Sequence, residues 1–249
     1  MTAGELISTQ EPVQPLYEGK AKRLYKTDDE NVLRMEYKDD ATAFNALKKA
    51  QFENKGKLNK AITLLLYKML EEQMVPTHHV GDLDDTNLLV KAVDILQVEV
   101  IVRNVAAGSF CKRMGVEEGK DFQVPIVEFS YKSDELGDPL INDDYARELG
   151  LATPEECQFL KEQALVINDV LCEFFAECGL KLVDFKIEFG RTRDTHEIVL
   201  ADEISPDTCR LWDLETGKKM DKDRFRQDLG DVMQGYEEVL SRIAKRIES

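Results

Sequence analysis

Lys186 lies two positions after Asp184 and two before Glu188, in the run Leu180-Lys-Leu-Val-Asp-Phe-Lys-Ile-Glu-Phe-Gly190. Alternate side chains of an extended segment share a face. Leu182, Asp184, Lys186 and Glu188 therefore project together, and Val183, Phe185, Ile187 and Phe189 project to the other side. A lysine between two carboxylates suits a hard cation and a phosphate, because carboxylate oxygens ligate the cation and the ammonium faces the anion. A solvated sheet face is the plainer reading, but acidic residues are depleted in strands. After a polar connection at Gly190 to Thr195, Glu197 to Ala201 reads as the returning strand of a hairpin. It delivers Asp202 and Glu203 to its end, ahead of Asp207 and Arg210.

Two further groups carry positive charge. Lys20 and Lys22 follow Gly19 and, in an extended chain, leave it on the same side; taken alone they read as surface. Arg103 comes near the end of an apolar run, and Ala106-Ala107-Gly108-Ser109 then opens a short helix with backbone N–H groups suited to an anion. Lys112 and Arg113 are close by in sequence, and an arginine bracing a loop is the competing reading. Together these parts suggest lysines on nucleotide phosphates, carboxylates on magnesium, and a separate arginine and serine site for a second anion. The chemistry they point to is nucleotide-dependent transfer onto an anionic acceptor.

Composition narrows the field. The chain has 249 residues, 43% hydrophobic and 33% charged, with a net charge of −16. Such a balance opposes nucleic acid and anionic membranes as partners, and no apolar run approaches the roughly 20 residues of a membrane span. The N-terminus lacks the basic head and apolar middle of a signal peptide, and residues 1–15 are expected to form a loose arm. Five cysteines without Cys-x-x-Cys spacing point to the cytoplasm. His78-His79 has no acids or cysteines at ligand spacing, so zinc is not expected. No Walker loop or Gly-x-Ser-x-Gly elbow is present.

The elements that must position these residues follow from pattern. Two short strands around Gly19, a turn at Thr27 to Asn31 and a strand over Val32 to Tyr37 are expected, followed by a loop from Lys38 to Lys49. A helix from Lys57 to about Met74 is stopped by Pro76. Strands are expected over Leu88 to Val93, Val98 to Val105 and Val124 to Tyr131, with a turn-rich stretch from Leu136 to Asp144. Thr153-Pro154-Glu155-Glu156 supplies a capped start for a long helix ended by Gly179. Lys218 to Gln227 and Asp231 to Arg246 read as C-terminal helices.

The segments Tyr17–Lys22, Val102–Ser109, Leu182–Gly190, Ala201–Asp207, Arg210–Asp213 and Met220–Arg226, in this order, closely resemble the SAICAR synthetase family of purine synthesis. The resemblance runs from about Leu16 to the last helix. It implies an α+β, ATP-grasp-like two-lobed fold of antiparallel sheets with packed helices. Residues 16–96 would form a nucleotide-binding lobe and residues 97–249 a substrate- and metal-binding lobe, with nucleotide in the cleft between them. It implies a ligase that uses ATP to join L-aspartate to the carboxylate of carboxyaminoimidazole ribonucleotide through an acyl phosphate. By matching motif positions, Lys20, Lys22 and Lys186 contact nucleotide phosphates, Lys91 to Leu96 lies against adenine, and Glu188 and Asp202 bind Mg2+. Arg103, Ser109 and Arg210 bind the ribonucleotide with Asp207 near them, and Lys186 and Arg210 are the catalytic residues. A homo-oligomer is also expected. One departure is the stretch 39–45, where many members read Ser-Ala-Phe-Asp and this chain carries Asn45 without that charge. Two rivals stay open on the residues alone: a kinase that stops at phosphoryl transfer, and a non-catalytic acidic calcium-binding domain. No Asp-x-Asp-x-Asp-Gly loop supports the second.

Overall fold

The computed structural model describes residues 14–43 and 47–248. Most of the expected N-terminal arm, and Asn45, lie outside the described residues. In chain order the elements begin with β1 (Tyr17–Glu18), β2 (Lys22–Lys26), β3 (Val32–Tyr37), β4 (Asp40–Ala43) and β5 (Lys48–Gln51). Then come α1 (Lys55–Glu72), β6 (His79–Asp82), β7 (Asn87–Lys91), β8 (Val93–Val105), α2 (Ser109–Met114) and β9 (Asp121–Tyr131). Next are β10 (Leu140–Ile141), α3 (Asp143–Glu148), α4 (Pro154–Glu177), β11 (Leu180–Thr192) and β12 (Ile198–Ala201). The last are β13 (Cys209–Asp213), α5 (Asp223–Arg226) and α6 (Val232–Ile247). This is an α+β fold of antiparallel sheets with packed helices, as expected.

The described residues group into two units. One contains the chain up to Ile95 together with Gly190–Ser205; the other contains Leu96–Phe189 and the chain from Pro206 on. The break falls between Ile95 and Leu96, and Gly190–Ser205 joins the first unit rather than a contiguous C-terminal lobe. The cause is nonlocal pairing that periodicity does not signal: His78 N–H donates to the Leu200 carbonyl, and Leu200 N–H donates to that of Pro76.

In the first unit the sheet order is β1-β2-β3-β7-β6. Alternation on β3 and β7 turns Leu33, Met35, Leu88 and Val90 inward, where Leu64 of α1 and Tyr37 join them. In the second unit β10, β9, β8 and β11 follow one another, and β13 pairs with β11. Helix α4 has the expected capping box: Thr153 Oγ1 accepts from Glu156 N–H, and the Glu156 carboxylate accepts from Thr153 N–H. Its stripe of Leu160, Ala164, Ile167, Leu171 and Phe175 is fully buried, each large side chain contributing about 1.5–3 kcal/mol. Among the described residues no helix is long and apolar enough to cross a membrane.

Several expectations need correction. The stretch expected as a loop contains β4 and β5, which pair antiparallel with Ala41 opposite Ala50 and Ala43 opposite Lys48. Small alanines give a weak strand signal, although Ala41 and Ala43 are the buried positions. Lys218 to Gln227 is helical only over Asp223–Arg226; before it, Lys219 bridges to Trp212 and Met220 N–H donates to Leu211. Ala92 divides the apolar run that looked like one strand to Val93, and β6 and β13 were not anticipated.

Gly56, in the first turn of α1, lies against the end of β3 at Tyr37. Alanine favours a helix over glycine by roughly 1 kcal/mol, yet a Cβ here would lie 2.6 Å from the Tyr37 carbonyl oxygen. Gly56→Ala should therefore lower the urea midpoint. A gain in stability would mean that α1 and β3 separate without cost.

Candidate functional site

Strand β11 does not present its charged face to water. Asp184 and Glu188 are 4% and 3% exposed, so each carboxylate must be compensated in place. In the second unit β13 runs antiparallel beside β11 with Asp184 directly opposite Arg210. The Arg210 Nη1 donates to both Asp184 oxygens at 2.9 and 2.7 Å. Arg103 of β8 reaches the same carboxylate at 2.7 Å and donates through Nε to Glu128 at 2.7 Å. Asp184 thus sits between two guanidinium groups. Arg113 of α2 closes the cluster, donating to Ser109 Oγ at 3.1 Å and to Glu128 at 2.5 Å.

Two residues along β11, Lys186 lies between Glu99 at 2.5 Å and Glu188 at 3.1 Å, and Lys132 adds a second ammonium to Glu188 at 2.6 Å. Val98, Val100 and Val102 of β8 are fully buried on one face, while Glu99 and Arg103 meet Lys186 and Asp184 on the other. The lysine–carboxylate alternation read from the sequence is therefore one row of a larger charge lattice. Burial lifts the Glu99 carboxyl above its usual range, against the pull of Lys186.

Arg103, Lys186, Asp207, Arg210 and Arg226 edge a cavity of about 130 Å³. Tyr236 donates to Asp207 at 2.7 Å, and Arg210 donates through Nε to Asp223 at 2.9 Å. Gly108, at φ 56°, lies against Arg210, and a Cβ there would fall 2.3 Å from Nη2. Burial opposes the charge on Arg210, but Asp184 and Asp223 outweigh it and hold its pKa above the ordinary value.

The first unit holds a separate cluster. Lys22 opens β2, and its ammonium contacts Asp202 and lies 2.8 Å from Glu203. Burial would lower the Lys22 pKa, yet these two carboxylates hold it well above the ordinary lysine value. Asp202 follows β12 in the left-handed region at φ 65°, its carbonyl accepting from Tyr67 Oη at 3.1 Å. Lys20, expected to share the role of Lys22, is exposed in the turn before β2. Lys91 ends β7, its N–H given to the His78 carbonyl, while Ala92 N–H goes to Asn31. His78 is a buried ring edge-on to Tyr67, and burial lowers its pKa to about 3.

The structure thus brings Arg103, Ser109 and Arg210 into one network through Arg113, Glu128 and Asp184, and sets Lys186, Asp207 and Arg210 around one cavity. It pairs Lys22 with Asp202. Of the two expected magnesium ligands, Glu188 belongs to the second unit and Asp202 to the first. The sequence reading assigned no role to Glu99, Glu128, Lys132, Glu203, Asp223 or Arg226. Glu99 carried the clearest signal, a lone acid among alternating valines.

Asp221 lies between β13 and α5. It is fully buried, and its carboxylate accepts from the N–H groups of Leu211 and Asp223. Burial, reinforced by the Asp223 charge, pushes its pKa from 3.8 up to about 7. The folded state therefore binds this proton more tightly than the unfolded chain. The stability it confers is complete below about pH 4 and is lost as pH rises through about 7. Urea unfolding from about pH 5 to about pH 8 should show Asp221→Asn gaining on the parent as pH rises. Parallel stability curves would mean that Asp221 does not titrate in this range.

The family model described as SAICAR synthetase matches residues 15–243. The phosphoribosylaminoimidazole-succinocarboxamide synthase of Akkermansia muciniphila is 70% identical over 235 residues, covering 94% of this chain and 100% of that protein. Its counterpart from Finegoldia magna is 55% identical, covering 93% and 99%. Among solved structures, the synthase from Ehrlichia chaffeensis superposes with a TM-score of 0.91 at 43% identity, covering 93% and 98%. A type-2 SAICAR synthetase in complex with ADP gives 0.88 at 48% identity, covering 91% and 96%. On this breadth of match, the chain belongs to the SAICAR synthetase family, ATP-dependent ligases that attach aspartate in purine biosynthesis.

Proposed function

We propose that the chain works through an acyl phosphate of carboxyaminoimidazole ribonucleotide. An oxygen of the substrate carboxylate bonds to the γ-phosphorus of ATP, the bond from that phosphorus to the bridging oxygen breaks, and ADP leaves with the electron pair. The amine of L-aspartate then attacks the acyl carbon. Phosphate departs with the electrons of the C–O bond, and the nitrogen loses its proton to give the amide. The protein's task in both steps is to align the reactants and neutralise charge.

The observation that carries this reading is the second unit's cavity. A chain of net charge −16 nevertheless gathers Arg103, Lys186, Arg210 and Arg226 around one small space, a local field suited to an anionic substrate. Arg103 and Arg210, already fixed by Asp184, would hold the ribonucleotide together with Ser109 and Asp207. Lys186 would face the transferring phosphoryl group and serve with Arg210 in catalysis. In the first unit Lys22, with Lys20, would hold nucleotide phosphates, and the segment from Lys91 on would face adenine. The ADP bound by the type-2 relative supports nucleotide binding.

A magnesium ion suits the donors available. Glu188 and Asp202 are carboxylates, each now balanced by lysine, and magnesium is usually held by one or two carboxylates plus substrate phosphates and water. When bound, the ion would neutralise developing phosphate charge. A cytoplasmic setting and a homo-oligomer belong to the same reading, and five cysteines without Cys-x-x-Cys spacing suit a reducing compartment.

Measuring ADP release with each substrate omitted in turn tests the reaction, since a ligase requires aspartate for full turnover. Arg103→Lys should raise the KM for the ribonucleotide by the equivalent of about 1–3 kcal/mol, because an ammonium cannot reproduce a two-pronged guanidinium grip. Some loss of Tm will accompany it, as Arg103 also anchors Glu128 and Asp184. A defect confined to the KM for ATP would sink the assignment.

Glu188→Gln and Asp202→Asn should each reduce turnover about 10²-fold or more while the fold persists. Rates near the parent's at saturating magnesium in both variants would remove the metal assignment.

A further inference from the structure

Lys22 has two acidic partners, and they are mounted differently. Glu203 is 2% exposed and held at both ends: one carboxylate oxygen takes the Lys22 ammonium at 2.8 Å, and the other accepts from Ser205 Oγ at 2.6 Å. Ser205 is itself buried, and the Ile204 carbonyl between them accepts from the buried Thr63 hydroxyl at 3.1 Å. Asp202 differs. Its backbone is pinned in a left-handed conformation by Tyr67, but its side chain is 18% exposed against 3% for Glu203.

We infer that Glu203 is a positioning residue that keeps Lys22 in place and charge-compensated, so that the Asp202 carboxylate can be given over to a magnesium ion. This rests on the reading of Lys22 and Asp202 as nucleotide and metal groups. With Asp202 as its one acidic partner, Lys22 would compete with the cation for the same oxygens, and the cation's arrival would leave a buried ammonium uncompensated. With Glu203 fixed by Ser205, the Lys22–Asp202 contact is exchanged for an Asp202–cation contact while Lys22–Glu203 persists. The neighbouring acids of the Ala201-Asp202-Glu203 sequence then have separate duties, one toward the cation and one toward the lysine.

The test is ADP binding by calorimetry with and without magnesium chloride, alongside Tm. In the parent, magnesium should tighten ADP binding. In Glu203→Gln, which keeps the shape and removes the charge, this tightening should shrink by about tenfold or more, with metal-free ADP affinity little changed. Ser205→Ala, which releases the second Glu203 oxygen, should move the same way by a smaller factor. In a Lys22→Met background, Glu203→Gln should add little. An equal loss of ADP affinity with and without magnesium would make Glu203 merely structural and overturn the inference. An undiminished effect in the Lys22→Met background would also overturn it, because Glu203 would then act on the cation directly. If Glu203→Gln is silent while Asp202→Asn abolishes the magnesium effect, this inference alone fails. If Asp202→Asn and Lys22→Met are both silent, the site reading fails and takes the inference with it.

Discussion

Taking a charged strand face out of water is the constraint from which the second unit is built. A buried carboxylate costs several kcal/mol unless it is paired and hydrogen-bonded. Asp184 and Glu188 are both buried on β11, and each is met by two cationic groups. Satisfying them dictates what the neighbouring strands carry: Arg103 and Glu99 on β8, Arg210 opposite Asp184 on β13, and Lys132 just beyond β9. The apolar faces of the same strands are filled in the ordinary way by valines and by phenylalanine. One side of this sheet is held by packing and the other by compensated charge.

On the proposed reading, that arrangement would let an acidic chain attract an anion. The long-range field of so negative a protein is repulsive, but salt screens it over about a Debye length. Within the cavity the nearest charges decide. Arg103 and Arg210 share Asp184, which orders both guanidinium groups while cancelling only part of their charge. Planar donors fixed beforehand lose little freedom when an oxyanion arrives. The carboxylate between them serves as a brace as well as a counter-ion.

Much of this was legible in the sequence where a local rule applied. The capping box at Thr153, the alternation along β11 and β3, and the Gly108–Ser109 turn each declare themselves within a few residues. The pairing of Asp184 with Arg210 and Arg103 crosses 26 and 81 positions, and no local period encodes it. The same holds for Lys22 and Glu203, 181 positions apart. Where the reading failed locally, small or mixed side chains were responsible: Ala41 and Ala43 are too small to mark β4 as a strand. The stretch before Asp223 is mostly charged and shows no strand alternation, although Lys219 bridges to Trp212. Most candidate residues stand out by type and spacing, Lys91 and Asp207 only through the family resemblance, whereas their partners required the fold.

Gly108 gives the cluster an order in which it can change. The space where its Cβ would stand is occupied by the Arg210 guanidinium, so the missing methyl group is in effect the seat of the arginine. Any larger residue at 108 would meet positive charge and planar nitrogen rather than open space, and the backbone there is already in a conformation that disfavours side chains. Positions 108 and 210 therefore do not drift independently. Loss of the arginine would have to come first, and a side chain could enter the vacated space only afterwards. The glycine of the turn and the arginine of β13 form a single heritable unit, although 102 positions separate them.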